Sequence, residues 1–515
     1  MFWRESPSSR TESAVPEVIL SVDCSTSGVK CIAWGADGTA LATGSTTLEL
    51  SIPHPGYGEQ DPRDWWKGTQ AAVRECVSQI NPNDVVAFAI THQRESFACL
   101  DDEGAPLRPA MLWLDTRANE QVVKFGTRRI HDLTGKPANP TPAFYKLLWM
   151  REHEPETLEK TRRIVDVHAY LVHEITGQWV TSVASADPLG LIDLETSDYS
   201  DEILAILGID RTVLPALVNP GEVMGTMTQE VSAALGLPEG VPVVAGAGDG
   251  QSAGLGAGIV APGRAYLNVG TGLISGSFSD TYIPSPAYRA MAGTLPGTVN
   301  YELFVGAGTF MVSWFMNTFA DGDDFEPGTS REVYWQSRAE AIEPGAEGLF
   351  VVPYWNGQLT PFWDQDARGV MFGLTGVHTP AHIYRATLEG IAFELRLCLE
   401  EAERSLPAPI TEFIAMGGGS RSPLWCQLFA DILQSPIVLA GSDEATALGA
   451  GVLAATGVGL YPSTAAAAAG MTSVRTRYEP QLNQRATYDA LYAVYRQIYP
   501  ALRPVFSSAA TGLSS

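Results

Sequence analysis

Apolar residues in this chain fall in short runs closed by glycine, serine or aspartate. Val18–Asp23 is one such run, ends in an acid, and reads as a buried strand. Val29–Trp34 alternates, Asp37-Gly38 turns the chain and Ala40–Leu50 returns, which predicts an antiparallel meander. Helical stretches follow, as at Pro62–Ile80. An apolar strand at Val85–Ile90 ends in THQRESF, and a helix containing TRANEQVVKF follows Trp113. The layout then repeats. Val241–Ala245 leads into GAGDGQSAGLGAG, and Arg264–Val269 runs into GTGLISG at 270–276: a strand, a small hydroxyl-and-glycine turn, and another strand. A helix at Ala381–Ser405, a strand at Phe413–Met416, the run GGGSRSPLW at 417–425 and a Gly/Ala-rich helix at Thr446–Ala455 complete the pattern. Two similar halves of mixed strands and helices predict two α/β domains around a central cleft. The boundary falls near residues 255–262, and ligand belongs between the halves, where strand ends meet.

Length agrees with two domains, because 515 residues exceed the roughly 250–300 that one core supports. The net charge of −25 argues against nucleic acid or an anionic membrane as partner. It also means that an anionic nucleotide needs local attraction from a magnesium ion, helix N-termini and backbone amides. The six cysteines are scattered without a C-x-x-C pair, which suits reduced thiols in a cytoplasmic protein. The histidines show no metal spacing; His378 and His382 flank Pro380 and mark a helix start. The opening MFWRESPSSRTESAVPE lacks the apolar core of a secretion signal, and no apolar run is long enough to span a membrane. Residues 1–15 and 506–515, the latter ending in SSAATGLSS, are expected to be disordered.

Chemistry concentrates at the turns. VDCSTSGVK at 22–30, taken alone, is either an ordinary turn or a phosphate cradle with a metal-facing acid. A second such turn in the equivalent half favours the cradle, since two turns facing a cleft can clasp a triphosphate from both sides. Hydroxyls of Ser25, Thr26, Ser27 and Thr271 offer donors, small residues at Gly28, Gly270 and Gly272 let backbone N–H groups approach, and Asp23 would face a hydrated Mg²⁺. GGGSRSPLW is either a wide turn or a flat bed for an adenine ring. Asp249, among the glycines of GAGDGQSAG, is either a helix N-cap or a general base that takes the proton of an acceptor hydroxyl.

Taken in order, these stretches resemble the FGGY carbohydrate kinases. The likeness runs over about residues 17–500 and includes HPGYGEQDPRDWW at 54–66, PAMLWLDTRA at 109–118, KLLWMREHEPE at 146–156, PFWDQDARGVMFGLT at 361–375 and HIYRATLEGIAF at 382–393. The resemblance implies two ribonuclease H-like domains of the actin/hexokinase superfamily. The first, 16–257, would hold the sugar, the first phosphate motif and the catalytic Asp, and the second, 258–505, the nucleotide. It implies transfer of the ATP γ-phosphate to a sugar or polyol, with Asp249 at the base position and Asp23 at the metal. Asp23 and Thr26 match the first phosphate motif, Gly270 and Thr271 the second, and Gly418 and Gly419 the adenosine motif, and Ser25, Ser27, Lys30 and Ser422 are expected to bind the nucleotide with them. THQRESF resembles glycerol kinases, whose Arg-Glu pair grips hydroxyls, so Arg94, Glu95, Trp113 and Gln251 are expected at the acceptor beside Asp249. Arg94 and Glu95 also read as an ordinary ion pair, although neighbours on an extended chain point oppositely. Gly250 separates Asp249 from Gln251, whereas glycerol kinases place the amide directly after the acid. The expected acceptor is a small polyol or ketose of about three to five carbons. A xylulokinase-type ketopentose kinase is the alternative, since HPGYGEQDP and GGGSRSPLW look more like that group, and a non-catalytic nucleotide- or sugar-binding protein is a further one. A homodimer is left open.

Overall fold

The structure is a computed structural model that describes residues 17–320 and 330–513. Expectations for residues 1–15 and for the last two residues lie outside the described residues.

Each half is built on one mixed sheet. In the first, Val18–Cys24 pairs antiparallel with Gly28–Gly35, which pairs with Ala40–Thr47 to form the expected meander. On its other side Val18–Cys24 runs parallel to Val85–His92, then comes parallel Pro242–Gly248, and antiparallel Val223–Thr226 forms the edge. The second sheet has the same plan. Arg264–Val269, Leu273–Ser279 and Val299–Val305 form the meander, Glu412–Met416 and Ile437–Ala440 follow in parallel, and Val474–Tyr478 closes the edge antiparallel. It adds one further strand, Arg289–Ala292, beside Val299–Val305. The repeat seen in the sequence therefore extends through the sheet order.

The helices follow local signals. Pro62–Val77 starts at Asp61, whose carboxylate accepts from the Arg63 N–H, and Pro62 supplies a pre-set φ in the first turn. Pro380–Glu403 starts with a capping box in which the His382 ring replaces the usual acid opposite Thr379. The TRANEQVVKF helix is shorter than its pattern, Asn119–Phe125, because Gly126 ends it before a second helix at Arg128–Thr134. The tail departs from expectation. Residues 506–513 belong to the helix Arg485–Leu513. Tyr488, Tyr492, Tyr495, Tyr499 and Phe506 repeat along one face and enter the core of the second half, so burial carries the helix past its polar composition.

Two helices join the halves. Asp249–Gly256 leaves the first sheet, and Ala253 with the following Ala257 packs on the second, against Tyr266, Ile414 and Met416. Ala445–Gly457 leaves the second sheet and packs on the first, placing Leu448, Val452 and Leu453 against Ile19, Ile32 and Val244. The helices cross at glycines. A Cβ on Gly256 would sit 1.9 Å from the Ala445 carbonyl oxygen, and one on Gly449 would sit 1.9 Å from that of Ser252.

Candidate active site

The C-terminal ends of the parallel strands in the first sheet converge on the cleft. Cys24, His92 and Gly248 lie side by side in register, so Asp23, Gln93–Glu95 and Asp249 come from adjacent strand ends. Asp249 opens its helix in the first turn, while the N-cap is Gly248. The N-cap reading of Asp249 is therefore set aside. Its carboxylate is 45% exposed, accepts from the Gly250 N–H at 2.7 Å and pairs with Arg94 Nε at 2.8 Å.

Arg94 itself is buried. Its Nη1 donates to Glu302 Oε1 at 2.8 Å and to Gln251 Oε1 at 3.2 Å. Burial works against its charge, and Glu302, Asp249 and Glu95 outweigh burial. Glu302 is fully buried in the mid-strand of Val299–Val305. Burial would raise its carboxyl, but Arg94 and Arg289 hold it down at about 2. The packing explains the glycines around Asp249. A Cβ on Gly248 would meet Arg94 Cγ at 2.5 Å, and one on Gly250 would meet Glu302 Oε1 at 2.6 Å. Glu95 is also buried and pairs with Arg289 of the second half. Its φ of +58° breaks the extended run, which removes the alternation expected from neighbours on a strand and lets Arg94 and Glu95 enter one network. Gln251 lies beneath this network rather than at the cleft surface. It is buried, and its Nε2 donates to the Ala184 carbonyl at 2.9 Å. Both ends of the Gln251 amide thus bond protein partners, Arg94 at the oxygen and Ala184 at the nitrogen.

Trp113 is 42% exposed beside this group, and its indole N–H donates to Thr26 Oγ1 at 2.9 Å. Lys146, fully buried, ties the Leu112 carbonyl (2.6 Å) to the Thr141 carbonyl (2.7 Å) and so fixes the backbone entering Trp113. Burial pushes its ammonium down to about 7, with Asp115 and Glu95 opposing.

The first turn is more self-contained than its hydroxyls imply. Ser25 Oγ donates to the Gly28 carbonyl at 2.9 Å, and Thr26 Oγ1 donates to Gln93 Oε1 at 3.0 Å. Ser27 is left exposed. Gly28 is required by the sheet, since a Cβ there would lie 2.4 Å from the Thr46 carbonyl oxygen. Lys30 reaches across to Glu444 of the second half at 2.7 Å. In the second turn Thr271 is exposed and Gly270 has room around it, the nearest atom to a Cβ being 3.5 Å away. The carbonyl of Gly270 accepts from the N–H of Thr309, at the start of the helix Thr309–Phe319. In the glycine run, Gly417 takes φ +85°, Gly418 faces open space and Gly419 is buried against Val269 and Trp425. Ser422 caps the helix Pro423–Leu433 by accepting from the Trp425 N–H at 3.2 Å.

Asp23 fits a cation. Its Oδ1 is buried and has no hydrogen-bond partner among the described residues. Burial, then Asp249 and Glu444, raise its carboxyl to about 7 against the opposing Lys30. A divalent ion there would relieve all three effects. Among the described residues no group of three or more His, Cys, Asp or Glu forms a closed metal cage. No helix among the described residues is long and apolar enough to cross a membrane.

Sequence reasoning missed Glu302, Arg289 and the work of Lys146. A charged residue in the middle of the apolar strand VNYELFV was the available signal for Glu302.

Comparison with known proteins gives the same picture. The N-terminal domain model of the FGGY family of carbohydrate kinases matches residues 18–256, and the C-terminal domain model matches 265–458. A xylulose kinase of Staphylococcus epidermidis is 29% identical over 494 residues, covering 94% of this chain and 97% of that protein. A glycerol kinase of Citrifermentans bemidjiense is 30% identical over 484 residues, covering 91% and 95%. Among solved structures, a ligand-bound xylulose kinase from Lactobacillus acidophilus superposes with a TM-score of 0.90 at 26% identity, covering 96% of this chain and 99% of that one. Two matched domain models in chain order, relatives that align nearly end to end and the repeated sheet plan lead to one assignment: the chain belongs to the FGGY family of carbohydrate kinases.

Proposed function

We propose that the protein transfers the γ-phosphate of ATP to a hydroxyl of a neutral polyol or ketose of about three to five carbons, with Asp249 as general base. The observation that carries this reading is the exposed Asp249 carboxylate, held by the buried Arg94 at 2.8 Å at the convergence of three strand ends. A base must be fixed in direction yet open to the acceptor, and this one is both. The chain of roles is short. Trp113 offers a flat apolar face to the carbon skeleton, and Glu95 offers a carboxylate oxygen to an acceptor hydroxyl. Asp249 takes the proton of the attacking hydroxyl as that oxygen approaches the γ-phosphorus. Backbone N–H groups of the turns at 25–27 and 270–272, with the exposed hydroxyls of Ser27 and Thr271, receive the phosphates, and the open face at Gly418 receives the adenine ring. Asp23 is the residue to hold Mg²⁺, which neutralises phosphate charge when bound.

Arg94 and Arg289 are each matched to buried carboxylates, so an acidic sugar would meet no spare cation from either. This favours a neutral acceptor. A ketopentose is the second reading, favoured by the xylulose kinases among the relatives. A coupled ADP-release assay with Mg-ATP over glycerol, erythritol, threitol, erythrulose, ribitol, xylitol, arabitol, xylulose, ribulose and gluconate decides. A strong polyol hit supports the reading of Arg94-Glu95. A hit on xylulose or ribulose alone keeps the kinase and moves the acceptor to the ketopentoses. A hit on gluconate alone overturns the neutral-acceptor argument.

A further inference from the structure

Five side chains form a chain of alternating charge through the cleft: Glu95, Arg289, Glu302, Arg94 and Asp249. Arg289 Nη1 donates to Glu95, and Arg289 Nη2 donates to Glu302 Oε2 at 2.9 Å. Arg94 Nη1 bonds both Glu302 oxygens, at 2.8 and 2.9 Å, and Arg94 Nε meets Asp249 at 2.8 Å. The first member, Glu95, is buried and the last, Asp249, is 45% exposed; both belong to the N-terminal half. The two between Glu95 and Arg94 come from the C-terminal half. Tyr266, also of that half, donates its hydroxyl to Glu302 at 2.9 Å. The strand bearing Arg289 is itself docked on the first half, since the Ala290 N–H donates to the Gly135 carbonyl at 2.9 Å and the Ala292 N–H donates to Asp187 at 2.9 Å.

We infer that Glu302 and Arg289 are positioning residues for the acceptor site, Glu302 fixing Asp249 through Arg94 and Arg289 fixing Glu95. The inference rests on Asp249 being the base. The geometry has a chemical reason. A lone arginine beside the base could swing among rotamers, but Arg94 is held at Nη1 by a carboxylate with no exposure, so its Nε has one direction. Glu95 sits in a left-handed backbone conformation, and its buried carboxylate is held by the Arg289 guanidinium. The acceptor site of the first half is thus completed by the second, and none of the bonds given above for these five side chains reaches the turns at 25–27 or 270–272.

The test uses the full-length protein with its best acceptor. E302Q keeps the shape and one acceptor oxygen but loosens Arg94, and is expected to lower kcat by about 10²-fold, the scale of a 1 Å misplacement at a reacting group. The ATP KM should stay within about twofold, by analogy with sites that keep their own contacts. R289M is expected to raise the acceptor KM more than it lowers kcat, and R289K to recover part of that loss. A merely structural role would lower melting temperature and move the ATP and acceptor KM values together, with no rescue by lysine; that pattern overturns the inference. D249N is run in parallel. If D249N is inactive while E302Q and R289M match wild type, the positioning inference falls and the base reading stands. If D249N turns over normally, the base reading falls first. Should E302Q not fold, R94K replaces it: an ammonium cannot bond Asp249 and Glu302 in the same fork, so the same kcat loss with ATP binding kept supports the inference, and wild-type kcat overturns it.

Discussion

Replacing Asp249 by asparagine separates catalysis from stability more cleanly than any other change in this site. Asparagine keeps the size and one acceptor oxygen, so the bonds from the Gly250 N–H and from Arg94 Nε can both be retained. The carboxylate is 45% exposed, so its ion pair is screened by water and contributes no more than about 1 kcal/mol. Arg94 remains paired with Glu302 at 2.8 Å, so no buried charge is orphaned. For a chain of this length such a loss shifts melting by about 1 °C. Turnover is a different matter. The amide cannot take a proton, and removing a general base costs about 10²- to 10⁴-fold, equivalent to about 3–5 kcal/mol of barrier. Asp249→Asn should therefore melt with wild type, bind ATP with wild type in equilibrium dialysis, and release ADP at least a hundredfold more slowly with the best acceptor. Turnover within tenfold of wild type would refute the base assignment. A melting point lowered by more than about 5 °C would show that the carboxylate holds the fold, and the screening argument would fail.

Arg94→Met should be severe in the opposite sense: it leaves the buried Glu302 with Arg289 and Tyr266 alone and is expected to cost about 3–5 kcal/mol in urea unfolding, with a loss below about 1 kcal/mol contradicting the network. Asp23→Asn should raise the free Mg²⁺ needed for half-maximal rate at fixed ATP, and superimposable magnesium titrations would remove Asp23 from the metal. In the second half, burial raises the Glu394 carboxyl to about 7, although Tyr495, Tyr354 and Gln358 donate to it. The folded protein thus holds that proton more tightly than the unfolded chain. The stability this contributes is complete below about pH 4.5 and lost as pH rises through about 7, by up to about 3 kcal/mol. Glu394→Gln should flatten that decline between pH 5.5 and 8 in chemical denaturation, and parallel profiles for the two proteins would contradict the raised carboxyl.

What could be read from the sequence was local. The strand ending at Cys24, its return after Asp37-Gly38 and the second copy starting at Arg264 all carry their own alternation and turn chemistry. Asp249 stood out because bare glycines surrounded it. What the sequence hid was why those glycines are there. Gly248 and Gly250 make room for Arg94, which lies more than 150 positions earlier, and the partner that anchors Arg94 is Glu302 in the other half. No local periodicity encodes a contact between distant strands. The same limit hid that Gly28 answers to the Thr46 carbonyl, and that the hydroxyls of Ser25 and Thr26 bond inside the turn and to Gln93. The polar tail misled for a related reason: its composition favours disorder, but the tyrosine stripe upstream and Phe506 anchor the helix it continues.

The helix crossing at Gly256 and Gly449 has a consequence for how this chain can be divided. Each half lends the other a helix: Asp249–Gly256 covers the second sheet, and Ala445–Gly457 covers the first. A cut near residue 258 therefore yields no two self-sufficient modules. The first piece would expose Ile19, Ile32 and Val244 where Leu448 and Val452 belong, and the second would carry a nearly all-apolar helix with no sheet to cover. The two halves act as reciprocal covers, each sheet completed by a helix that starts in the other.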